Sequence, residues 1–291
     1  MGTPAGRFAP SPTGPLHMGS LLAATASYLD ARSRGERWLL RIDDLDAPRN
    51  VPGAEARILS ALEAHGLRWD GTVDHQSAHT ETYEAALESL IVRELVFFCS
   101  CSRSQLAGFR RYPGTCRNRI HPAPATAVRV RTTERPVRFD DLIAGIRTEN
   151  LSHTTGDFVI RRRDGVTAYQ LATAVDDGAD HIRRVVRGSD LLDNTPRQIY
   201  LMNLLGLQVP EYAHVPTLKN AAGQKLSKQS RAPELDNSRA SANLATTLAY
   251  LGLQPPADAS LWSVADLLRW GREHWSLTQV PRTDVREVLE Q

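Results

Sequence analysis

A histidine stands directly before an alanine-rich segment near the start of the chain, in the run PSPTGPLHMGSLLAATASYL. The prolines keep the preceding stretch extended, and apolar residues recur at helical spacing from Gly19 onward. Because the amino end of a helix presents unpaired N–H groups, it suits a phosphate. Gly19 would let the backbone approach a nucleotide closely, and His17 could donate a hydrogen bond to phosphate oxygens. The simpler interpretation is that His17 caps the helix.

A second segment that could handle phosphates is the glycine-containing run NAAGQKLSKQ, which carries Lys225 and Lys228. Adenylyl transfer needs cations directed at a transition state that gains negative charge, and a loop can deliver them once ATP is bound. A solvated surface loop would have a similar composition. Together with His17, the two lysines predict an ATP site built from both ends of one domain.

All three cysteines of the chain fall between Cys99 and Cys116. Such local clustering favours zinc, which takes four tetrahedral ligands, over a disulfide framework. Spacing alone suggests His121 as the fourth ligand, and three reduced cysteines in a core are the alternative. The cluster is surrounded by arginines that suit RNA phosphates or a merely solvated basic surface: Arg103, Arg110, Arg111, Arg117 and Arg119.

A parallel α/β sheet would bring these distant segments together, and the sequence predicts one. Strand-like runs at residues 6–9 and 37–42 flank the alanine-rich helix and form a βαβ unit. The run DFVIRRRDGVTAYQLATAV predicts a hairpin about its Asp-Gly turn. The other expected elements are helices at 53–65, 80–95, 241–251 and 263–275, and a strand at 212–218.

Charge and hydropathy exclude several classes of protein. The 291 residues include 35 basic and 33 acidic side chains, so the net charge is only +2 and any RNA-binding surface must be local. The sequence contains no apolar run long enough to span a membrane and no secretory signal at its start. We therefore expect a cytoplasmic protein without membrane contact, and a monomer.

Five segments resemble, in order, blocks of the glutamate branch of the class I aminoacyl-tRNA synthetases: RFAPSPTGPLHMGS, RIDDLD, TAYQLA, VVRGSDLL and QKLSKQ. PLHMGS resembles the HIGH motif of that family, and KLSKQ resembles its KMSKS loop. The resemblance covers about residues 7–233. It implies a doubly wound parallel sheet of the Rossmann type, ATP with Mg²⁺ on its phosphates, activation of L-glutamate, and transfer of the glutamate to an RNA hydroxyl.

The resemblance also implies individual roles. For glutamate it implies Arg7, Phe8, Ala9, Pro10, Ser11, Asp43, Tyr169 and Arg187. For ATP it implies His17, Gly19, Lys225, Ser227 and Lys228, with His17 and Lys228 as the catalytic pair. Asp43 departs from the family pattern, which has Glu near the substrate's amino group, and its reach is shorter by about 1.5 Å. Plainer roles are a half-buried strand aromatic for Tyr169 and a surface ion pair for Arg187.

The cysteine block resembles that of a short paralogue in this family, one that attaches glutamate to the queuosine base in the anticodon of tRNA(Asp). The shared pattern is Cys-x-Cys, then a Tyr four residues before the last Cys, at Cys99, Cys101, Tyr112 and Cys116. The resemblance therefore implies one Zn²⁺ with Tyr112 rather than His121 as the fourth ligand, and queuosine-containing tRNA(Asp) as the partner.

The predicted organisation has four parts. Residues 1–97 and 151–210 form the two halves of the catalytic domain, 98–150 form a zinc-containing insertion outside the sheet, and 211–291 hold the KLSKQ loop and a helical region. With 63 residues after Lys228, no anticodon-binding domain is expected. The alternatives are a truncated glutamyl-tRNA synthetase, a HIGH-superfamily nucleotidyltransferase that acts on a small acid without RNA, and a non-catalytic zinc-containing RNA-binding protein.

Overall fold

The computed structural model describes residues 3–120, 126–179, 181–219, 233–282 and 285–287. Its strands are β1 Ala5–Phe8, β2 Arg37–Ile42, β3 Asp74–His75, β4 Val96–Cys99, β5 Ala127–Val130, β6 Val137–Asp141, β7 Gly145–Glu149, β8 Val159–Arg161, β9 Arg184–Gly188, β10 Glu211–Val215, β11 Thr217–Lys219 and β12 Val285–Glu287. Its α-helices are α1 Met18–Ser33, α2 Ala54–Ala64, α3 Thr80–Val92, α4 Arg103–Leu106, α5 Tyr169–Asp177, α6 Thr195–Leu205, α7 Ala240–Tyr250 and α8 Val264–Glu273.

The central sheet is parallel through most of its width. β1 pairs with β2 and β2 with β3, while β9 pairs with β10 and β10 with β6, all in parallel. The backbone N–H of Ala5 donates to His181 at 2.8 Å and that of Arg183 donates to Ala5 at 3.0 Å, so the start of β9 lies beside β1. The strand order is therefore β3-β2-β1-β9-β10-β6, with the antiparallel β7 at the edge. The prediction of a doubly wound parallel sheet is confirmed, and the chain reverses direction across the sheet between β1 and β9.

Helix α1 is held against this sheet by close packing. A Cβ built on Gly6 would lie 3.0 Å from the Cβ of Ala31, so a larger residue there would push the helix and β1 apart by a few tenths of an ångström. Leu22 and Leu29 are fully buried, each stabilising the fold by about 1.5–3 kcal/mol. The indole of Trp38 in β2 is also buried and donates to the Ser27 hydroxyl at 3.0 Å. This packing fixes the position of the helix start.

Three sequence predictions differ from the structure. The run from Tyr169 is helix α5 rather than the second strand of a hairpin; Leu171, Ala172 and Ala174 are buried in it, and Gly178 ends it. The predicted strand at 212–218 is divided into β10 and β11 at Pro216, which has no N–H to donate to a ladder. Within the predicted insertion, β6 and β7 extend the central sheet, so that segment does not lie wholly outside it.

A smaller antiparallel sheet carries the cysteine region. It consists of β4, β5 and β8, with Cys99 at the end of β4 opposite Ala127. Helices α7 and α8 pack on α1 through residues such as Leu248 and Gly271. None of the described helices is both long and apolar enough to cross a membrane.

Candidate active site

A cavity of about 510 Å³ opens where the chain leaves the carboxyl ends of β1 and β9. Ligands of open α/β sheets bind at this position, because diverging loops leave a crevice there. Ten residues that the sequence assigned to a site line it: Arg7, Phe8, Ala9, Pro10, Ser11, His17, Gly19, Asp43, Tyr169 and Arg187. The structure thus brings these residues together, while their individual roles stay predictions.

The predicted loop lysines cannot be compared in the same way. Lys225, Ser227 and Lys228 lie outside the described residues, as does His121. The strand that precedes the loop does contribute, because Thr217 and Leu218 of β11 line the cavity.

His17 occupies the N-cap position of α1. Its Nδ1 accepts a hydrogen bond from the backbone N–H of Ser20 at 3.3 Å. The capping interpretation is therefore correct, and it is compatible with a role in ligand binding because the same ring lines the cavity. With Nδ1 as an acceptor, the neutral ring carries its proton on Nε2, the tautomer that a donor to phosphate requires.

Arg7 is fixed by a buried acid that the sequence reasoning missed. Its Nε and Nη2 donate to Asp177 at 3.1 and 2.8 Å, and Arg41 adds a third bond to Asp177 at 2.9 Å. Although burial would raise the pKa of Asp177, Arg7 and Arg41 outweigh it and hold that pKa far below its usual value. The bidentate pair presents the remaining edge of the Arg7 guanidinium toward Val186 and the cavity wall.

Asp43 faces the cavity from the end of β2. Its carboxylate accepts from the Arg41 Nε at 2.7 Å. Burial raises the pKa of Asp43 to about 6, even though the neighbouring Arg41 opposes the shift. Asp43 is therefore a buried anion whose charge is lost in mild acid.

The surroundings of Arg187 and Tyr169 differ from the plainer roles that the sequence suggested for them. Arg187 is only 5% exposed, so it is not part of a surface ion pair. Its Nη2 donates to Gln198 at 2.7 Å and to Thr195 at 2.9 Å, while its buried Nη1 has no hydrogen-bond partner among the described residues. Tyr169 is the first residue of α5, 39% exposed at the cavity, and not a strand aromatic.

Sequence reasoning also missed Arg41 and Thr173. Arg41 lies inside the quoted RIDD block, and Asp177 lies in the pair of acids that ends α5 just before Gly178. The Thr173 hydroxyl is buried at the cavity wall and has no hydrogen-bond partner in the described part of the chain. The usable signal for Arg41 and Asp177 was charge within otherwise apolar runs, which is rare unless the charges are paired, and Thr173 offered no such signal.

The cysteine cluster is compact. The Sγ atoms of Cys99, Cys101 and Cys116 all lie within 4.8 Å of one another, and those of Cys101 and Cys116 are 3.5 Å apart. The Tyr112 hydroxyl lies 3.4 Å from the Cys99 Sγ and 3.9 Å from the Cys101 Sγ. Because Zn–S bonds are near 2.3 Å, tetrahedral zinc needs sulfurs about 3.8 Å apart, which this donor set fits.

The electrostatics of the cluster favour a thiolate at one position. Burial alone would raise the pKa of Cys116, but hydrogen bonds from the Ser100 backbone and the Tyr112 hydroxyl outweigh it and lower that pKa to about 6. Around the cluster, Arg103, Arg110, Arg111 and Arg119 are exposed, whereas Arg117 is paired with Asp157. Four of the five arginines that the sequence suggested are therefore exposed.

The parallel sheet, the cavity beside its reversal point and the histidine at a helix start define a Rossmann-type α/β protein. Residues 5–241 match the family of class I tRNA synthetases (E and Q), catalytic domain; the chain belongs to this family and is a ligase of the aminoacyl-tRNA synthetase type. It is 50% identical over 278 residues to a protein of Pseudomonas aeruginosa PAO1 named Glutamyl-Q tRNA(Asp) synthetase, with 95% of each chain covered. A protein of the same name from Thiobacillus denitrificans is 52% identical over 285 residues, covering 95% of this chain and 94% of the relative.

Among solved structures, a glutamate tRNA ligase from Elizabethkingia meningosepticum in complex with its amino acid has a similar fold. The TM-score is 0.81 at 24% sequence identity, with 97% of this chain and 66% of that chain covered. At this identity the likeness concerns the fold alone. The present chain thus spans about two thirds of the length of that ligase.

Proposed function

We propose that this enzyme activates L-glutamate with ATP and transfers it to the queuosine base in the anticodon of tRNA(Asp). The proposal is supported by relatives named Glutamyl-Q tRNA(Asp) synthetase, which are 50–52% identical over 95% of the chain. It is also supported by the membership of residues 5–241 in a family of tRNA ligases for glutamate and glutamine.

The observation that carries the amino-acid part is the pair of buried arginines at one cavity. Arg7 and Arg187 both line it, and the buried Arg187 Nη1 has no acceptor among the described residues. A buried guanidinium edge without an acceptor is costly, and a carboxylate is the ligand that suits it best. Asp43, which also lines the cavity, would supply a negative charge for the ammonium group of an amino acid. An amino acid with two carboxylates, such as glutamate, fits this charge pattern.

The chemistry proceeds in two transfers. An oxygen of the glutamate α-carboxylate attacks the α-phosphorus of ATP; the new P–O bond replaces the bond to pyrophosphate, which leaves. A hydroxyl oxygen of queuosine then attacks the carbonyl carbon of the adenylate, the bond to AMP breaks, and the hydroxyl proton passes to solvent. No protein nucleophile is required, so positioning and charge stabilisation dominate the rate. His17 would donate to the phosphates, Lys228 would add positive charge, and Mg²⁺ bound with ATP would neutralise phosphate charge.

The cysteine cluster would hold one structural Zn²⁺. Three thiolates and the Tyr112 oxygen supply the four donors, and a bound cation would favour the ionised phenol. Such a site would rigidify the segment that carries the exposed Arg103, Arg110 and Arg119, a suitable surface for RNA phosphates.

The decisive experiment is the charging of tRNA with radiolabelled glutamate. One pool of tRNA comes from cells that make queuosine and the other from cells that do not. We expect label only in the queuosine pool, and equal label in both pools would instead indicate a conventional synthetase. Removal of the 3′-terminal adenosine is the matched control, because it abolishes conventional charging and leaves the anticodon intact. Pyrophosphate exchange without any labelled tRNA would favour an enzyme that acts on a small acid alone.

A further inference from the structure

The guanidinium of Arg187 is fixed on the side away from the cavity by a set of buried polar groups. Nε donates to the Nε2 of His214 at 3.1 Å, and Nη2 donates to Thr195 and Gln198. The Cζ of Arg187 lies over the ring of Tyr212, 5.3 Å from the ring centroid. Only Nη1 has no partner among the described residues, and Arg187 lines the cavity. The other two donor groups of the guanidinium, Nε and Nη2, thus hold the Nη1 edge in place.

The contact with His214 requires one particular tautomer of the histidine. Because the Arg187 Nε always carries a hydrogen, the His214 Nε2 must be an acceptor, and the ring proton must lie on Nδ1. The Thr195 hydroxyl, 3.1 Å from the same Nε2, can then donate to it. A doubly protonated ring would direct a donor at a donor. Burial lowers the pKa of His214, although the bond to Asp141 opposes the shift, so the neutral ring is favoured.

Asp141 selects that tautomer. Its Oδ2 lies 2.5 Å from the His214 Nδ1, and both side chains are fully buried. Its Oδ1 accepts from the backbone N–H groups of Ile143 and Ala144 at 3.1 and 2.7 Å. The carboxylate is therefore oriented by the turn that follows β6, and its second oxygen can only accept from the histidine. Neither Asp141 nor His214 lines the cavity.

We propose that His214 and Asp141 are positioning residues that set the affinity for the amino-acid substrate by holding Arg187 with its Nη1 edge toward the cavity. The inference rests on the proposed function in naming glutamate as that substrate. It assigns a role in substrate binding to a segment, β6, that sequence reasoning placed in the insertion. The hydrogen-bonded relay from Asp141 through His214 to Arg187 should affect the KM for glutamate and leave the KM for ATP unchanged. The reason is that it ends on Arg187 and not on the His17 side of the cavity.

Two substitutions of His214 separate this role from simple packing. In His214→Gln, the side-chain amide can place its oxygen near the former Nε2 and keep the acceptor for Arg187. In His214→Asn, the amide reaches only the former Nδ1, so the bond to Asp141 is kept and the acceptor for Arg187 is lost. We expect the Asn variant to raise the KM for glutamate about tenfold to a hundredfold, the effect of losing a bond to a charged group. The Gln variant should stay within about threefold of the unaltered enzyme, and the KM for ATP should not change in either.

Asp141→Asn tests the tautomer from a greater distance. Its amide oxygen is retained by the backbone donors of Ile143 and Ala144, so its NH₂ faces the His214 Nδ1 and drives the ring proton to Nε2. Glutamate KM should again rise about tenfold, with ATP KM unchanged. Long-range ¹H–¹⁵N spectra of histidine-labelled protein report the tautomer without any turnover, and should show the proton on Nδ1 in the unaltered enzyme and on Nε2 in the variant.

The outcomes separate the relay from the proposed function. Equal glutamate KM values for the Asn and Gln variants, or a ring proton on Nε2 in the unaltered enzyme, would overturn the relay. Absence of glutamate-dependent ATP–pyrophosphate exchange in the unaltered enzyme would overturn the proposed function, and the spectra would still test the relay.

Discussion

Removing the charge of Asp177 should weaken both the fold and the glutamate site. The carboxylate is fully buried and accepts three hydrogen bonds, two from Arg7 and one from Arg41. In Asp177→Asn one oxygen remains, but two buried guanidinium groups lose their shared anion. Arg41 keeps Asp43 and Asp176 as partners, whereas Asp177 is the only acid recorded in an ion pair with Arg7 within the described residues.

The size of the effect follows from the burial of this pair. Removing one member of a buried ion pair costs about 3–5 kcal/mol, which is a large part of the roughly 5–15 kcal/mol that stabilises a typical domain. We therefore expect Asp177→Asn to stay folded and to unfold at clearly lower urea concentration, as followed by tryptophan fluorescence. Since Arg7 loses its orienting partner, the KM for glutamate in ATP–pyrophosphate exchange should also rise at least about tenfold.

The pH dependence of this loss has a definite sign. Because the folded state lowers the pKa of Asp177, its stabilisation is present above the unfolded value near 3.9 and is lost as the pH falls through the folded value. The difference between variant and unaltered protein should thus be constant from about pH 7 to 8, above the pKa of Asp43, which the charge of Asp177 helps to raise. Asp266→Asn is the matched control, since the Asp266 side chain on α8 is 45% exposed and its bonds within the described residues are to Ser263 and Arg269. A loss below about 1 kcal/mol in Asp177→Asn, equal to that of the control, would refute the reasoning.

Three further predictions concern the remaining parts of the site. The affinity for glutamate should fall as the pH drops through the Asp43 pKa of about 6, because Asp43 then loses the charge that would hold the ammonium group. Asp43→Asn should lack this dependence when ATP–pyrophosphate exchange is titrated with glutamate from pH 5 to 8. Cys116→Ser should lower the zinc content of purified protein and its Tm, and Tyr112→Phe should weaken zinc retention against a chelator, both followed by metal analysis. Lys228→Ala should slow ATP–pyrophosphate exchange by orders of magnitude while urea unfolding stays unchanged.

Each of these predictions has its own control. Asp44→Asn should keep the pH dependence of the unaltered enzyme, because Asp44 bonds Ser77 and does not line the cavity. If the pH dependence disappeared in Asp44→Asn, Asp43 would not be its cause. Full zinc stoichiometry in Cys116→Ser would contradict the ligand set. Near-normal exchange in Lys228→Ala would exclude its loop from the chemistry.

The first part of the fold could be predicted because its signals are local. The extended proline loop, the helical spacing after it and the buried run at residues 37–42 each depend on neighbouring residues, and the observed β1, α1 and β2 confirm them. Helix α5 was missed because an Asp-Gly turn before it suggested a hairpin, although Leu171 and Ala174 stand three residues apart, as on one face of a helix. The pairing of β6 with β10 has no local signal at all.

The site shows the same division. Residues within quoted motifs, such as His17 and Asp43, could be placed at a ligand cavity from their neighbours along the chain. Asp177 and His214 could not, because the arginines that they bind lie 170 and 27 residues away along the chain, and such contacts leave no pattern in a single sequence. The sequence motifs indicated Arg7 and Arg187, and the buried side chains that hold these arginines were missed.

The bond between Arg7 and Asp177 has a consequence for the birth of the protein on the ribosome. Arg7 is made 170 residues before its partner, an interval of roughly 10–30 s at ordinary rates of synthesis. Throughout that time β1 also lacks β9 as its neighbour. The nascent chain therefore cannot bind the amino-acid substrate early in synthesis. Its binding pocket forms in one late step, when β9 and β10 leave the exit tunnel.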